Sequence, residues 1–275
     1  MTYSTLMVYL ALGQTNTGLL QAARELAERF GAGVVGIVAA QPMQIVYEDG
    51  YAYTDLIEQD RVAIVTDTAV AEAEFRDTLG VRDRHLEWRA SVQLTSLSDH
   101  LALEGRCADL ILTGTPSGNA SNGTRRMSIG DLVMQAGRPV MVVPSVPRGL
   151  RLDHVVVGWQ DTREARRAVA DALPLLHGAA HVDLVEITTK AGLLAAQARL
   201  DDVSAWLKGH GIAAGCMALP SDGQDAAQLG AVADDGQAGI VVAGAYGHSR
   251  LREWALGGVT RGLLANTQRC SFLSH

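Results

Sequence analysis

Aromatic side chains are scarce: Phe, Trp and Tyr make up 5% of the 275 residues, too few for the aromatic-rich interior of a β-sandwich. Apolar residues nevertheless reach 48%, supplied mainly by Ala, Val, Leu and Gly, a composition suited to close-packed α/β layers. Lysine is scarcer still, with only Lys190 and Lys208, and basic residues nowhere cluster beyond two or three. With a net charge of -7, the chain lacks the positive footprint of a nucleic-acid partner. No segment approaches the ~20 continuous apolar residues of a membrane helix. The opening "MTYSTLMVYLALGQTNTG" has no basic n-region and reads as a first strand rather than a signal peptide. Three cysteines, Cys107, Cys216 and Cys270, lie far apart without metal-ligand spacing. They are expected to be buried spectator thiols in a reduced, cytoplasmic setting.

What the chain does have is a repeat. An apolar run (Leu6 to Leu12), a polar turn, the helical pattern "GLLQAARELAERFGA" and the apolar run "GVVGIVA" come first. The same order returns as "HVVVGW", "QDT", "REARRAVADALPLLHGA" and "HVDLVEIT". "CADLILTG" is answered by "QAGIVVAG", and "DLVMQAGRPVMVV" by "GLLANTQRCSFLS". Short continuous apolar runs alternating with helical stretches predict parallel strands covered on both faces. The fold class is therefore α/β: two tandem open sandwiches, each with a mainly parallel sheet of about five strands. Pro144, Pro147 and Gly149 punctuate "VPSVPRGLRLD" and place the boundary near Pro147, giving units 1–147 and 148–275. Residues 1–147 carry 11 basic and 17 acidic side chains, net -6, and the remainder 12 and 13, net -1. The first unit is thus the poorer host for an anion.

Glycines mark one stretch of the second unit. Gly244 ends an apolar run, Gly247 follows, and Gly257-Gly258 precede the helical pattern "VTRGLLANT". The carboxyl end of a parallel strand is where open α/β sheets bind ligands. Glycines there let backbone N–H groups approach an anion, and a helix N-terminus adds unpaired donors and positive dipole. Thr260 offers a hydroxyl. Equally, such glycines serve a long connection needing positive φ, with Thr260 or a neighbour as a helix cap.

The spacing Gly244-x2-Gly247-x9-Gly257 resembles the nucleotide loop of the universal stress protein family. The resemblance extends through "GAYGHSRLREWALGGVTRGLL", "VVVGWQDTREARRAV" and "DLVMQAGRPVMVVP", and so along nearly the whole chain as a tandem two-domain member. It implies an adenine nucleotide alpha hydrolase-like, Rossmann-like fold. The implied ligand is ATP or a related adenine nucleotide, with or without magnesium, at the carboxyl ends of strands 1 and 4. It also implies a stress-response role, pairing of domains through their last strands ("RPVMVV" and "RCSFLS"), and a homodimer as a further option. Carried over by position, Gly244 and Gly247 approach ribose and phosphate, Ala243 belongs to the same nucleotide site, and Gly257, Gly258, Val259 and Thr260 cradle the phosphates. Gly158, Trp159, Gln160 and Val185 at the ends of strands 1 and 2 flank the adenine, and His248 and Arg250 lie along the loop.

Two positions depart from the family pattern: Gln160 stands where Asp is usual, and Gly258 where Ser or Thr is usual. Gln160 keeps hydrogen-bonding capacity without the charge. Gly258 lacks one hydroxyl contact worth roughly 0.5–1.5 kcal/mol, a threefold to tenfold change in affinity. Arg250 and Arg252 in the loop either compensate or stand as solvated surface arginines. The first unit departs further. Gly114 survives, Ser117 takes the second glycine position, and either Arg126-Met127 or Gly130-Asp131 takes the place of the glycine pair. The stretch "TPSGNASNGTRRMS" reads as a polar loop.

No catalytic set emerges. There is no Gly-x4-Gly-Lys-[Ser/Thr] loop, neither lysine lies in a glycine loop, and "GHS" lacks the Gly-x-Ser-x-Gly elbow. His248 reads as a loop or nucleotide-edge contact, and no histidine has metal spacing. A scaffold without nucleotide and a slow ATP hydrolase or phosphotransferase stay as the other readings. Finally, "QIVYEDGYAYTDLIEQDRVAIVTD" reads as a long βα loop carrying Tyr47, Tyr51 and Tyr53.

Overall fold

The computed structural model describes residues 2–43, 54–80, 85–115, 127–144, 150–245, 262–263 and 268–275. Along the chain come β1 (Thr5–Tyr9), α1 (Thr17–Phe30), β2 (Gly33–Ala40), α2 (Thr54–Leu79) and β3 (Leu86–Val92). Then follow α3 (Leu97–Glu104), β4 (Leu110–Gly114), α4 (Ile129–Ala136) and β5 (Val140–Val143). The order repeats with β6 (His154–Gly158), α5 (Arg163–His177), β7 (His181–Thr188), α6 (Leu193–Gly209) and β8 (Gly215–Pro220). It ends with α7 (Asp225–Asp235), β9 (Ile240–Gly244) and β10 (Cys270–Ser274). The expected boundary at Pro147 lies outside the described residues.

All ten strands join one sheet, ordered β3-β2-β1-β4-β5-β10-β9-β6-β7-β8. Pairing is parallel within each set of five. Between the sets, β5 and β10 pair antiparallel, with Val142 opposite Ser271, Met141 opposite Phe272 and Val140 opposite Leu273. The eight inner strands lie between helices on both faces, which is why most of them are continuous apolar runs, β7 with Asp183 and Glu186 and β10 with Ser271 and Ser274 being the exceptions. The edge strands β3 and β8 have no fully buried residue and are half-buried or exposed throughout.

One face carries α1, α2, α5 and α6 over a single apolar layer that runs through both sets of strands. Leu6, Leu20, Leu26 and Met141 are continuous there with Leu173, Leu176, Val242 and Phe272. The other face carries α3, α4 and α7, with Leu101, Leu132, Val133, Leu229 and Ala233 buried. Polar contacts fasten the seam. The Tyr3 hydroxyl donates to the Asp171 carbonyl at 2.7 Å, Leu150 N–H to Glu25 at 2.8 Å, and Arg167 to the Gly137 carbonyl at 2.8 Å.

Two expectations change. Much of the stretch read as a long loop is helix: α2 begins at Thr54, and Tyr47, Tyr51 and Tyr53 lie outside the described residues. Residues 55–70 bury no side chain fully, and Ala71, Phe75 and Leu79 alone anchor the helix in the core, so its sequence lacks a clean apolar stripe. Nor are all three thiols buried. Cys107 is exposed and Cys216 half-buried, its thiol donating to the Leu200 carbonyl. Cys270 is buried, and burial, then the charge of Glu25, pushes its pKa up to about 12.

Candidate functional site

Strands β6 and β9 are neighbours, yet the chain leaves them toward opposite faces. After β6 it enters α5, whose Ala165, Ala168 and Val169 join the layer shared with α1. After β9 it reaches Leu263, buried in the other layer. Such divergent exits mark the carboxyl edge between the two strands as the place where open α/β sheets take ligands. Three of the sequence-predicted residues stand in one row beside it: Val185, Gly158 and Ala243 are register partners across β7, β6 and β9. Val185 is not at a strand end, however, because β7 continues to Thr188. Trp159 N–H donates to the Val185 carbonyl at 2.8 Å and fixes the first residue of the exit. The Gln160 carbonyl accepts from Thr162 N–H at 2.6 Å, turning the chain, and the Thr162 hydroxyl caps Ala165 N–H at 3.2 Å.

Gly244 has a steric reason to be glycine. A Cβ there would lie 2.4 Å from Ala165 N and 2.6 Å from the Glu164 carbonyl carbon, inside the first turn of α5. The helix start rests directly on the strand end. At Gly158 a Cβ would meet Leu229 Cδ2 at 2.8 Å, the tip of a side chain that can move. Gly114, the counterpart of Gly244 in the first half, has nothing within 4 Å among the described residues.

Around the start of α5 the structure brings together residues that the motif does not name. Glu164 is 4% exposed and hydrogen-bonded by Arg163. Burial works to raise its pKa, but hydrogen bonds from Arg163 and its own N–H, with the charges of Arg163 and His275, outweigh that and hold it below the ordinary value. His275 Nδ1 lies 3.0 Å from the Ala245 carbonyl, at the ends of β10 and β9. Trp159 Nε1 and Ser274 Oγ are the two buried side-chain polar atoms without a hydrogen-bond partner among the described residues. Ser274 is the register partner of Gly244, and Trp159 follows Gly158, so the two flank the end of β9. Sequence spacing could not announce this group, since its members come from three strands and a helix.

Gly247, His248, Arg250, Gly257, Gly258, Val259 and Thr260 lie outside the described residues, as does Arg252. Gln160 is exposed at the turn. Among the described residues no group of three or more His, Cys, Asp or Glu is arranged to hold a metal ion.

In the first half the corresponding helix start is occupied from within. The Glu74 carboxylate, reaching over from α2, accepts from Asn16 N–H at 3.1 and 3.2 Å and from the Thr17 hydroxyl at 3.0 Å. Asn16 also ties the turn, accepting from Ala11 N–H at 3.1 Å and donating to the Ala11 and Gln14 carbonyls at 3.2 Å. The positive end of α1 thus already faces a carboxylate. Gly130 and Asp131 fall in the first turn of α4, where Ser128 caps Asp131 N–H at 3.2 Å. Ser117 and Arg126 lie outside the described residues.

No protein-family model and no curated protein matches the chain. Solved structures do. A universal stress protein of Archaeoglobus fulgidus is similar with a TM-score of 0.73 at 12% identity, over 98% of this chain and 95% of that one. Two Pseudomonas aeruginosa proteins follow. One, of unknown function, gives 0.63 at 13% identity over 99% and 92% of the two chains. The other, assigned to the universal stress proteins, gives 0.62 at 14% over 98% and 92%. The architecture is thus an α/β fold with a large, mostly parallel sheet. It is the universal stress protein fold, present along nearly the whole chain. No helix among the described residues is long and apolar enough to cross a membrane.

Proposed function

We propose that the chain is a tandem universal stress protein, with units 1–147 and 148–275, that binds ATP or a related adenine nucleotide in its second unit. Its role is regulatory, in a cytoplasmic stress response, rather than metabolic. The observation that carries this reading is the asymmetry of the two carboxyl edges. At both edges the helix start is met from within, by Glu74 of α2 in the first half and by Thr162 and Glu164 in the second, so the difference lies in what stands beside it. In the second, the crevice is flanked by the buried, unpaired Trp159 Nε1 and Ser274 Oγ, and the chain enters the glycine loop directly from β9. Buried polar groups without partners cost about 1–3 kcal/mol each and are rare away from sites that need them. Glycine-lined backbone ahead of a helix start supplies the donors a phosphate chain requires.

Titration with ATP tests it. Saturable binding is expected in the parent chain and a loss of at least about tenfold in Gly257→Glu, which sets a carboxylate against the phosphates. Equal affinity in both would remove the site.

One observation favours the second reading, a scaffold of the same fold without nucleotide. Packing alone accounts for Gly244 and gives Gly158 a close neighbour, so neither glycine requires a ligand. Adenine absorbance released when the natively purified protein is denatured separates the two readings.

A further inference from the structure

The second half has a cleft of about 440 Å³ between α5 and α6, on the opposite face of the sheet from the layer that the chain enters after β9. Its walls are Trp159 and Val169 on one side and Val203 and Trp206 on the other. Small-molecule sites occupy about 300–1,000 Å³. The repeat makes the opening conspicuous. In the first half α1 packs against α2, and Glu74 joins them. Among the described residues, no hydrogen bond or ion pair joins α5 to α6.

The charges around the cleft select the kind of occupant. Arg166 is held by Asp161 at 2.5 Å. Arg199 is held by both oxygens of the buried Glu186. Asp202 is exposed and makes no hydrogen bond or ion pair among the described residues. The lining holds two guanidinium groups and two carboxylates, and because Glu186 behind the lining already neutralises Arg199, the carboxylate left over is Asp202. An anion would find both guanidinium groups engaged and meet Asp202. A cation would meet that carboxylate in a cleft also lined by two indoles, the side chains best suited to cation–π attraction. Trp206 is 43% exposed, and its ring rests edgewise on His210 at 4.4 Å. It thus stands at the mouth, while Trp159, 8% exposed, forms the deeper wall.

The geometry points to a second ligand site, in the α5–α6 cleft, for a small planar organic cation, meeting the nucleotide crevice at Trp159 and opposite to it in charge preference.

Calorimetric titration of the full chain tests this with three probes at neutral pH: N-methylquinolinium, its uncharged analogue quinoline, and naphthoate. Saturable binding of the cation is expected, with quinoline at least about fivefold weaker and naphthoate weaker still. Trp206→Ala and Asp202→Asn should each weaken the cation by about threefold or more. Both residues are exposed, and unchanged urea midpoints would show that the variants fold. Gly257→Glu should leave cation binding intact, so failure of the nucleotide reading and failure of this one are distinguishable. Three results would each overturn the site: no saturation by the cation, equal binding of all three probes, or unchanged affinity in both cleft variants. Loss of cation binding in Gly257→Glu would place the cation at the glycine loop and overturn the cleft site.

Discussion

Gly244 and Gly114 occupy the same place in the two repeats under opposite steric conditions. An added methyl at Gly244 runs into the backbone of α5, whereas at Gly114 it meets none of the described residues. Overpacking of this kind costs about 1–3 kcal/mol, and relief of unfolded-chain entropy at a compatible site returns about 0.4–1. Gly244→Ala should therefore lower stability by about 2 kcal/mol, and Gly114→Ala should be neutral or slightly stabilising, both read from urea midpoints. Glu164 supports a prediction in pH. Its carboxyl is held below the unfolded value of about 4.3, so the folded state binds fewer protons between the two pKa values. Its stabilisation is present above the unfolded pKa and is lost as pH falls through the folded one. Glu164→Gln should flatten that part of the acid limb in urea midpoints measured against pH, and an unchanged slope would contradict the assignment. Neither feature was legible from spacing. The glycine motif marks Gly244 without showing that a helix start presses on it, and Glu164 meets His275 only after β10 is laid beside β9.

Among the elements, the strands were the legible part. Runs such as "GVVGIVA" and "GIVVAG" are continuous because helices cover both faces of the sheet, and no polar position interrupts them. Helix α2 was not legible, because most of its first four turns contact little and leave no apolar stripe for a period to register. The Glu74 contact was hidden for another reason: it spans 58 residues and depends on α1 packing against α2. Strand β10 carries the junction. Phe272 is fully buried opposite Met141, in the layer common to both sets of strands. Phe272→Ala should cost about 3–5 kcal/mol, with the loss shared by the whole sheet in one urea transition. A variant in which one half unfolds at the parent midpoint would show that the seam does not couple them.

At the scale of the molecule, two copies of one unit form a single sheet and differ at their carboxyl edges. The first copy closes its helix start with Glu74, and its net charge of -6 makes it unwelcoming to polyphosphate. The second, near neutral at -1, keeps the glycine loop and leaves Trp159 Nε1 and Ser274 Oγ unpaired beside the crevice. The asymmetry at the glycine loops could be read from the sequence. The internal carboxylate and the unpaired polar atoms could not, since each depends on contacts made by folding. Nucleotide binding confined to the second unit is the central claim, and a stoichiometry measurement tests it most directly. Equilibrium dialysis with labelled ATP should give one site per chain, abolished or weakened by at least about tenfold in Gly257→Glu. Two sites per chain, or one that survives Gly257→Glu unchanged, would contradict the account.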